Sequence, residues 1–281
     1  MMVKLSAIQL TSTPDVEDNL AVIDGLLTCL DPKVEHLVVL PECCLCFGGN
    51  DQAIFQLAKK NQLTNGLVAS LSGLAKKHQI TLVAGTIPVL SLNGQKYRNT
   101  SFVFSPSGEV LGHYDKIHLF DANVDDSLDD GQAHYLESSF TQAGEQVSMV
   151  DIGFAKLGLS VCYDLRFPEL YRALRSLGAD IITVPSAFTK VTGQAHWQAL
   201  LQARAIENQC YVIAAGQQGK HKNGRETWGH SMIISPWGEV LTCLPEQTGI
   251  ISAEYKKQEI SRIRQAMPVH VHNQFNVELK N

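Results

Sequence analysis

Short, continuous apolar runs alternate with longer stretches of helical periodicity along most of this chain. Residues 3–10 read as a strand. Over 15–30, Val16, Leu20, Val22, Ile23, Leu26 and Leu27 recur at the spacing of an amphipathic helix. The run Leu37-Val38-Val39-Leu40 suits a strand buried on both faces, so residues 36–41 are assigned to one. Residues 51–79 are predicted to be largely helical, and 80–86 to form a strand. Residues 100–104 and 110–114 flank Ser105-Pro106-Ser107-Gly108, a hairpin turn signal. Residues 120–132 are acidic and are expected to form a solvated loop.

The second half passes through the same kinds of element. Strands are predicted over 155–162, 180–185 and 210–215. A helix follows over 168–177, opening at Pro168 and closed by Gly178. Another is expected over 196–209. Residues 231–244 form a hairpin turning at Ser235-Pro236-Trp237-Gly238, and 249–255 a last strand before a polar tail. Ser105-Pro106-Ser107-Gly108-Glu109-Val110-Leu111 and Ser235-Pro236-Trp237-Gly238-Glu239-Val240-Leu241 agree at six of seven positions, 130 residues apart. This repeat points to an internal duplication, with similar halves at about 1–130 and 150–260 of a single domain spanning 1–281. Alternating strands and helices imply an α/β fold with helices outside. Duplicated halves would stack their sheets, giving a four-layer α-β-β-α sandwich. Loops after strand ends from both halves could then meet at one rim.

Composition narrows the partners. The 281 residues are 44% hydrophobic and 18% charged, enough for a large core. The net charge of −5 and the lack of a basic run argue against nucleic acid. No stretch approaches the roughly 18 apolar residues of a membrane span, and the N-terminus turns polar after Leu10, unlike a signal peptide. Seven cysteines, an odd number, suggest reduced thiols in a cytoplasmic compartment. Cys43, Cys44 and Cys46 lack the spacing of a zinc knuckle, and the histidines lack that of HExxH, so no metal is expected.

Three residues could carry chemistry. Cys162 ends an apolar run at a strand-to-helix corner, near backbone N–H groups able to stabilise a thiolate or an oxyanion. It could equally be a small buried apolar residue. Glu42 directly follows Leu37-Val38-Val39-Leu40-Pro41, where desolvation would raise its pKa and make it a usable base. Lys116, with Ile117 and Leu119 just after it at the end of the first hairpin, could equally be a surface charge on an edge strand. Together a thiol, a base and an ammonium donor supply what nucleophilic attack on an amide requires.

Leu40-Pro41-Glu42, the segment Tyr114-Asp115-Lys116-Ile117-His118-Leu119-Phe120 and the segment Val161-Cys162-Tyr163-Asp164-Leu165-Arg166-Phe167-Pro168-Glu169-Leu170 give the chain a resemblance to the nitrilase superfamily of carbon–nitrogen hydrolases. The resemblance runs from the first strand to about Pro268. It implies that Cys162 is the nucleophile, Glu42 the general base and Lys116 the stabiliser of the tetrahedral intermediate. It further implies that the Tyr163 N–H completes the oxyanion hole, and that Glu137 orients Lys116 or the substrate amide. No cofactor is implied. Residues 184–197 are similar to the amidase branch of that superfamily that holds deaminated glutathione amidases and ω-amidases, and Arg166-Phe167-Pro168-Glu169, Pro185-Ser186-Ala187-Phe188 and residues 203–211 resemble the former more than the latter. The substrate implied is the amide of a small 2-oxo acid, deaminated glutathione in preference to the 2-oxoglutaramate of ω-amidases or a carbamoyl amine. Arg166, Phe188 and Thr192 are the candidate substrate contacts, with Arg166 alternatively paired to Asp164 or Glu169 and Thr192 on a loop. At least a homodimer is expected. A non-catalytic scaffold is the rival outside enzymes, and the intact Glu42, Lys116 and Cys162 count against it.

Overall fold

A computed structural model describes residues 2–124 and 133–280. The first half contributes β1 (Val3–Gln9), α1 (Val16–Leu27), β2 (Glu35–Val39), α2 (Asp51–Thr64), α3 (Gly66–His78), β3 (Thr81–Val83), β4 (Ile87–Leu90), β5 (Tyr97–Phe104) and β6 (Val110–Asp115). A hairpin of β7 (Asp121–Val124) and β8 (Ala133–Leu136) follows. Then come β9 (Met149–Asp151), β10 (Lys156–Leu159), α4 (Pro168–Ser176), β11 (Ile181–Ser186), α5 (Lys190–Asn208) and β12 (Tyr211–Gly216). Two hairpins complete the second half: β13 (Gln218–Lys220) with β14 (Glu226–Trp228), and β15 (Ser231–Ile234) with β16 (Val240–Leu244). The chain ends through β17 (Gly249–Glu254), α6 (Lys257–Ala266) and α7 (Val269–His272).

Two mixed sheets result. In the first, β17, β1, β2 and β3 lie in that order; β5 pairs with β3 and β4 along one edge and with β6 along the other. The second runs β16-β15-β12-β11-β10-β9. β1, β2 and β3 are mutually parallel, as are β10, β11 and β12, and an antiparallel strand borders each set on both sides. The two-residue side-chain period then sorts each apolar run onto two faces. Leu5, Leu37, Val39, Val83 and Val103 join Leu157, Leu159, Ile181 and Ile213 in one core between the sheets. Val38, Leu40, Leu82 and Phe104 face the other way, onto Ile23 and Leu27 of α1 and Leu71 and Leu74 of α3. α4 and α5 cover the outer face of the second sheet with Leu170, Leu174, Trp197 and Leu201. The layers are therefore helix, sheet, sheet, helix, as the alternation of runs implied. No helix among the described residues is long and apolar enough to cross a membrane.

Several boundaries differ from the sequence reading. The 51–79 stretch breaks at Asn65, which adopts φ +51° between α2 and α3. β3 stops at Val83 because the chain turns at Gly85, φ +50°, where a Cβ would stand 1.9 Å from the Pro41 carbonyl oxygen. α5 begins at Lys190, six residues before the predicted start, despite Val191, Thr192 and Gly193. Gly193 is what lets it lie against β14, since a Cβ there would meet Trp228 at 2.3 Å. The acidic 120–132 stretch is flanked by the β7–β8 hairpin and is not simply a loop; residues 125–132 lie outside the described residues. The tail holds α6, whose Ile260 and Ile263 are buried.

Candidate active site

The loops after β2, β6, β10 and β11 converge at one rim of the sandwich. Glu42 follows β2, Lys116 follows β6, and Cys162 opens a 3₁₀ turn, Cys162–Arg166, directly after β10. All three are buried, Lys116 at 2% exposure and Glu42 at 4%. Lys116 Nζ donates to Glu42 Oε1 at 2.9 Å and to Glu137 Oε2 at 2.8 Å. Asn99 Nδ2, from β5, donates to the same Glu42 oxygen at 2.9 Å. Glu42 Oε2 accepts the Ala187 N–H from the second sheet at 2.9 Å. The Phe120 N–H donates to Glu137 Oε2 at 2.7 Å, so the carboxylate of Glu137 is fixed from two sides. The Cys162 thiol lies beside the Glu42 carboxylate, near enough for each to shift the other's proton affinity.

Proton affinities follow from this packing. Burial would raise the Glu42 pKa, but the charge and hydrogen bond of Lys116, with donors from Cys162 and Ala187, hold it below its ordinary value. The expectation that desolvation sets the net shift is thereby corrected: a neighbouring ammonium outweighs it. For Lys116, burial acts downward and is overcome by Glu137 and Glu42, which hold the ammonium well above its usual range. Burial, and then the Glu42 charge, push the Cys162 thiol well above its usual range. The resting site is therefore carboxylate, ammonium and neutral thiol. A proton sits on sulfur beside an ionised acceptor, and no thiolate is stored.

The 3₁₀ turn has a specific anchor. Cys162 holds φ +49°, a left-handed conformation that costs a residue with a Cβ. Asp164, fully buried, accepts the Val161 N–H and the Tyr114 O–H on Oδ2, both at 2.8 Å. Its Oδ1 accepts the His118 N–H at 3.0 Å and meets His118 Nδ1 at 2.7 Å. One carboxylate thus ties the Cys162 turn to both flanks of Lys116.

Two hollows adjoin Cys162. The larger, about 440 Å³, is walled by Glu42, Lys116, Glu137, Tyr135, Phe47 and Arg225 among others. The smaller, about 20 Å³, is lined by Tyr163, Arg166, Phe188 and Thr192 on the other flank of the sulfur. The sequence-derived candidates are therefore all brought to Cys162, but in two groups. Arg166 pairs with neither Asp164 nor Glu169. Its Nη1 meets His196 Nδ1 at 3.1 Å, and its guanidinium lies over Phe188. Thr192 sits in the first turn of α5, not on a loop, with its hydroxyl 2.8 Å from that of Thr189. Sequence reasoning missed Asn99, Ala187 and Arg225. Arg225 follows Asn223-Gly224, a turn signal that points to a tight connection and so to an exposed tip. Asn99 and the Ala187 N–H carry no local signal, since their role comes from the stacking of sheets.

The carbon–nitrogen hydrolase family pattern matches residues 4–265. The chain belongs to that family. It is 42% identical over 274 residues to a deaminated glutathione amidase of Synechocystis, covering 96% of this chain and 97% of that one. It is 34% identical to the omega-amidase NIT2-A of Xenopus laevis, covering 99% and 98%. The NitFhit protein of C. elegans superimposes with a TM-score of 0.89 at 35% identity, over 99% of this chain and 67% of that one. The family makes this protein a hydrolase of carbon–nitrogen bonds other than peptide bonds.

Proposed function

We propose that this hydrolase cleaves the amide of a small 2-oxo acid, and that deaminated glutathione is its favoured substrate. The observation that carries this reading is the buried Glu42–Lys116–Glu137 cluster facing the Cys162 thiol beside a large cavity. The similarity to relatives named for that substrate supports the choice of acid. In this mechanism Glu42 takes the thiol proton as Sγ attacks the amide carbon. Lys116 Nζ and the Tyr163 N–H hold the oxyanion, and Glu137 keeps Lys116 aimed. Glu42 returns the proton to the amide nitrogen, the amine departs, and a thioester remains on Cys162. Water, losing a proton to Glu42, then opens the thioester to the free acid and restores the thiol. For deaminated glutathione the products are Cys-Gly and 2-oxoglutarate.

Arg166 and Thr192, with Phe188 as a wall, are placed by this reading at the carboxylate of the acyl group. The slot they line holds little more than one water as it stands. Rotation of Arg166 off His196 is what would widen it. The reading extends to a cytoplasmic enzyme acting as at least a homodimer. Cys162→Ala should abolish turnover with the circular dichroism spectrum unchanged. Acid quenching of the unaltered enzyme with deaminated glutathione should trap an adduct on Cys162 of the mass of a 2-oxoglutaryl group. Undiminished turnover by the variant would end the covalent proposal. The Xenopus relative favours a side-by-side assay with 2-oxoglutaramate; preference for that substrate would move the assignment to ω-amidase.

A further inference from the structure

The two hollows beside Cys162 differ in size by more than an order of magnitude, and this decides which way a substrate points. A slot of about 20 Å³ cannot receive a dipeptide. With the acyl carboxylate assigned to the Arg166–Thr192 slot, as proposed above, the amine side of a deaminated glutathione amide falls to the 440 Å³ cavity on the other flank of the sulfur. Arg225 stands in the wall of that cavity. The tight turn at Lys222-Asn223-Gly224 presents it: Gly224 adopts φ +87°, the Gly224 N–H reaches the His221 carbonyl at 2.9 Å, and the His221 N–H reaches the Arg225 carbonyl at 2.9 Å. Its guanidinium carbon lies 4.8 Å from the Tyr135 ring centroid and 5.2 Å from that of Phe47. Aromatic contacts of this kind restrict the guanidinium and strip water from its faces while its N–H edges remain able to bind.

No carboxylate among the described residues lies within ion-pair distance of Arg225. The acids nearest the chemistry are engaged elsewhere: Glu42 with Lys116 and Asn99, Glu137 with Lys116 and the Phe120 N–H. Asp51, the remaining acid in the cavity wall, makes no ion pair with a described residue. The histidine behind Arg225, His221, is held neutral, its pKa lowered to about 4 chiefly by burial. Arg225 is thus a positioned cation with its fork open to a planar anion. A planar carboxylate matches that fork bidentately.

We propose that Arg225 binds the terminal carboxylate of the leaving amine, so that it selects amides whose amine part ends in a free acid. The proposal rests on the substrate reading above. It assigns the acyl carboxylate and the amine carboxylate to different cations on opposite flanks of the sulfur.

The test compares three substrates: deaminated glutathione, the same molecule with its glycine carboxylate converted to an amide, and 2-oxoglutaramate, which has no amine chain. Arg225→Gln should lower kcat/KM for deaminated glutathione at least tenfold, through KM, with kcat nearly kept. The same variant should treat the glycinamide analogue within twofold of the unaltered enzyme, which should itself disfavour that analogue about as strongly as the variant disfavours the acid. Arg225→Lys, charged but without the fork, should fall between. An equal loss on all three substrates would overturn the proposal, because Arg225 would then serve the acyl end or the fold. No loss on any would overturn it too. Failure of the unaltered enzyme to cleave any of the three is a separate result, which removes the substrate reading itself and this inference with it.

Discussion

At the scale of single residues, the site holds three ionisable groups whose proton affinities are set by burial together with the charges they and Glu137 place on one another. Burial acts on Glu42 and Cys162 in the same upward direction, yet only the thiol ends above its ordinary value, because Lys116 bonds directly to Glu42. The sign of a substitution at Glu42 follows. Replacing it by Gln removes the negative charge that raises the thiol pKa and leaves Lys116, which lowers it. In Glu42→Gln the thiol should titrate at lower pH, so alkylation of Cys162 at neutral pH should be faster than in the unaltered enzyme. Amide turnover should fall by about 10²–10⁴ with the loss of the base. Rates of iodoacetamide labelling against pH, followed by mass on Cys162, measure the shift. A labelling profile that stays put or moves to higher pH would show that Glu42 does not act on this sulfur.

At the scale of elements, the Cys162 turn and the end of β6 are held together by Asp164. Asp164→Ala would leave the Val161 and His118 N–H groups without acceptors in the interior, at a cost of about 1–3 kcal/mol each. It would also release Cys162 from a backbone conformation that is stable only while its surroundings impose it. The expected result is a lower urea midpoint. Below the unfolding range, kcat should fall about 10²-fold with KM unchanged, as for a displaced reacting group. A fall in stability with kcat intact would reduce Asp164 to a structural anchor. The difference between what could and could not be read in the sequence has the same origin. Continuous runs such as Leu37–Leu40 gave strands, and the chemistry of a thiol, a carboxylate and an ammonium at strand ends gave candidates for the site. The start of α5 was hidden because β-branched residues and Gly193 disfavour a helix until Trp228 packs against it. α6 was hidden because two buried isoleucines in a polar stretch are a weak periodic signal. Ala187 acquires its place only from how the second sheet lies against the first.

At the scale of the whole molecule, the two sheets share a turn geometry and depend on each other. The turns at Ser105 and Ser235 match in detail: the serine N–H bonds the Glu109 or Glu239 carbonyl at 2.8 Å, and the glycine N–H returns to the serine carbonyl at 2.9 Å. Each hairpin also carries a register irregularity one strand position before its turn serine. We propose that the halves are copies of one ancestral unit within a single domain. They no longer stand apart. β17, from the end of the second half, pairs with β1 of the first sheet, and the Gln217 side chain after β12 donates to the Glu42 carbonyl at 3.0 Å. Gln9 of β1, fully buried, accepts the Ser231 N–H and hydroxyl of β15, both at 2.8 Å. With the inter-sheet core drawn from both halves, neither sheet can lose its partner without exposing the apolar face it buries. Urea unfolding should therefore show one transition, with far-UV circular dichroism, tryptophan fluorescence and amide turnover losing signal together. The tryptophans are all in the second half, at 197, 228 and 237, whereas Glu42 and Lys116 come from the first. Activity lost at a lower urea concentration than the fluorescence change would mean that the first sheet opens while the second persists, and the halves would then be separate cooperative units.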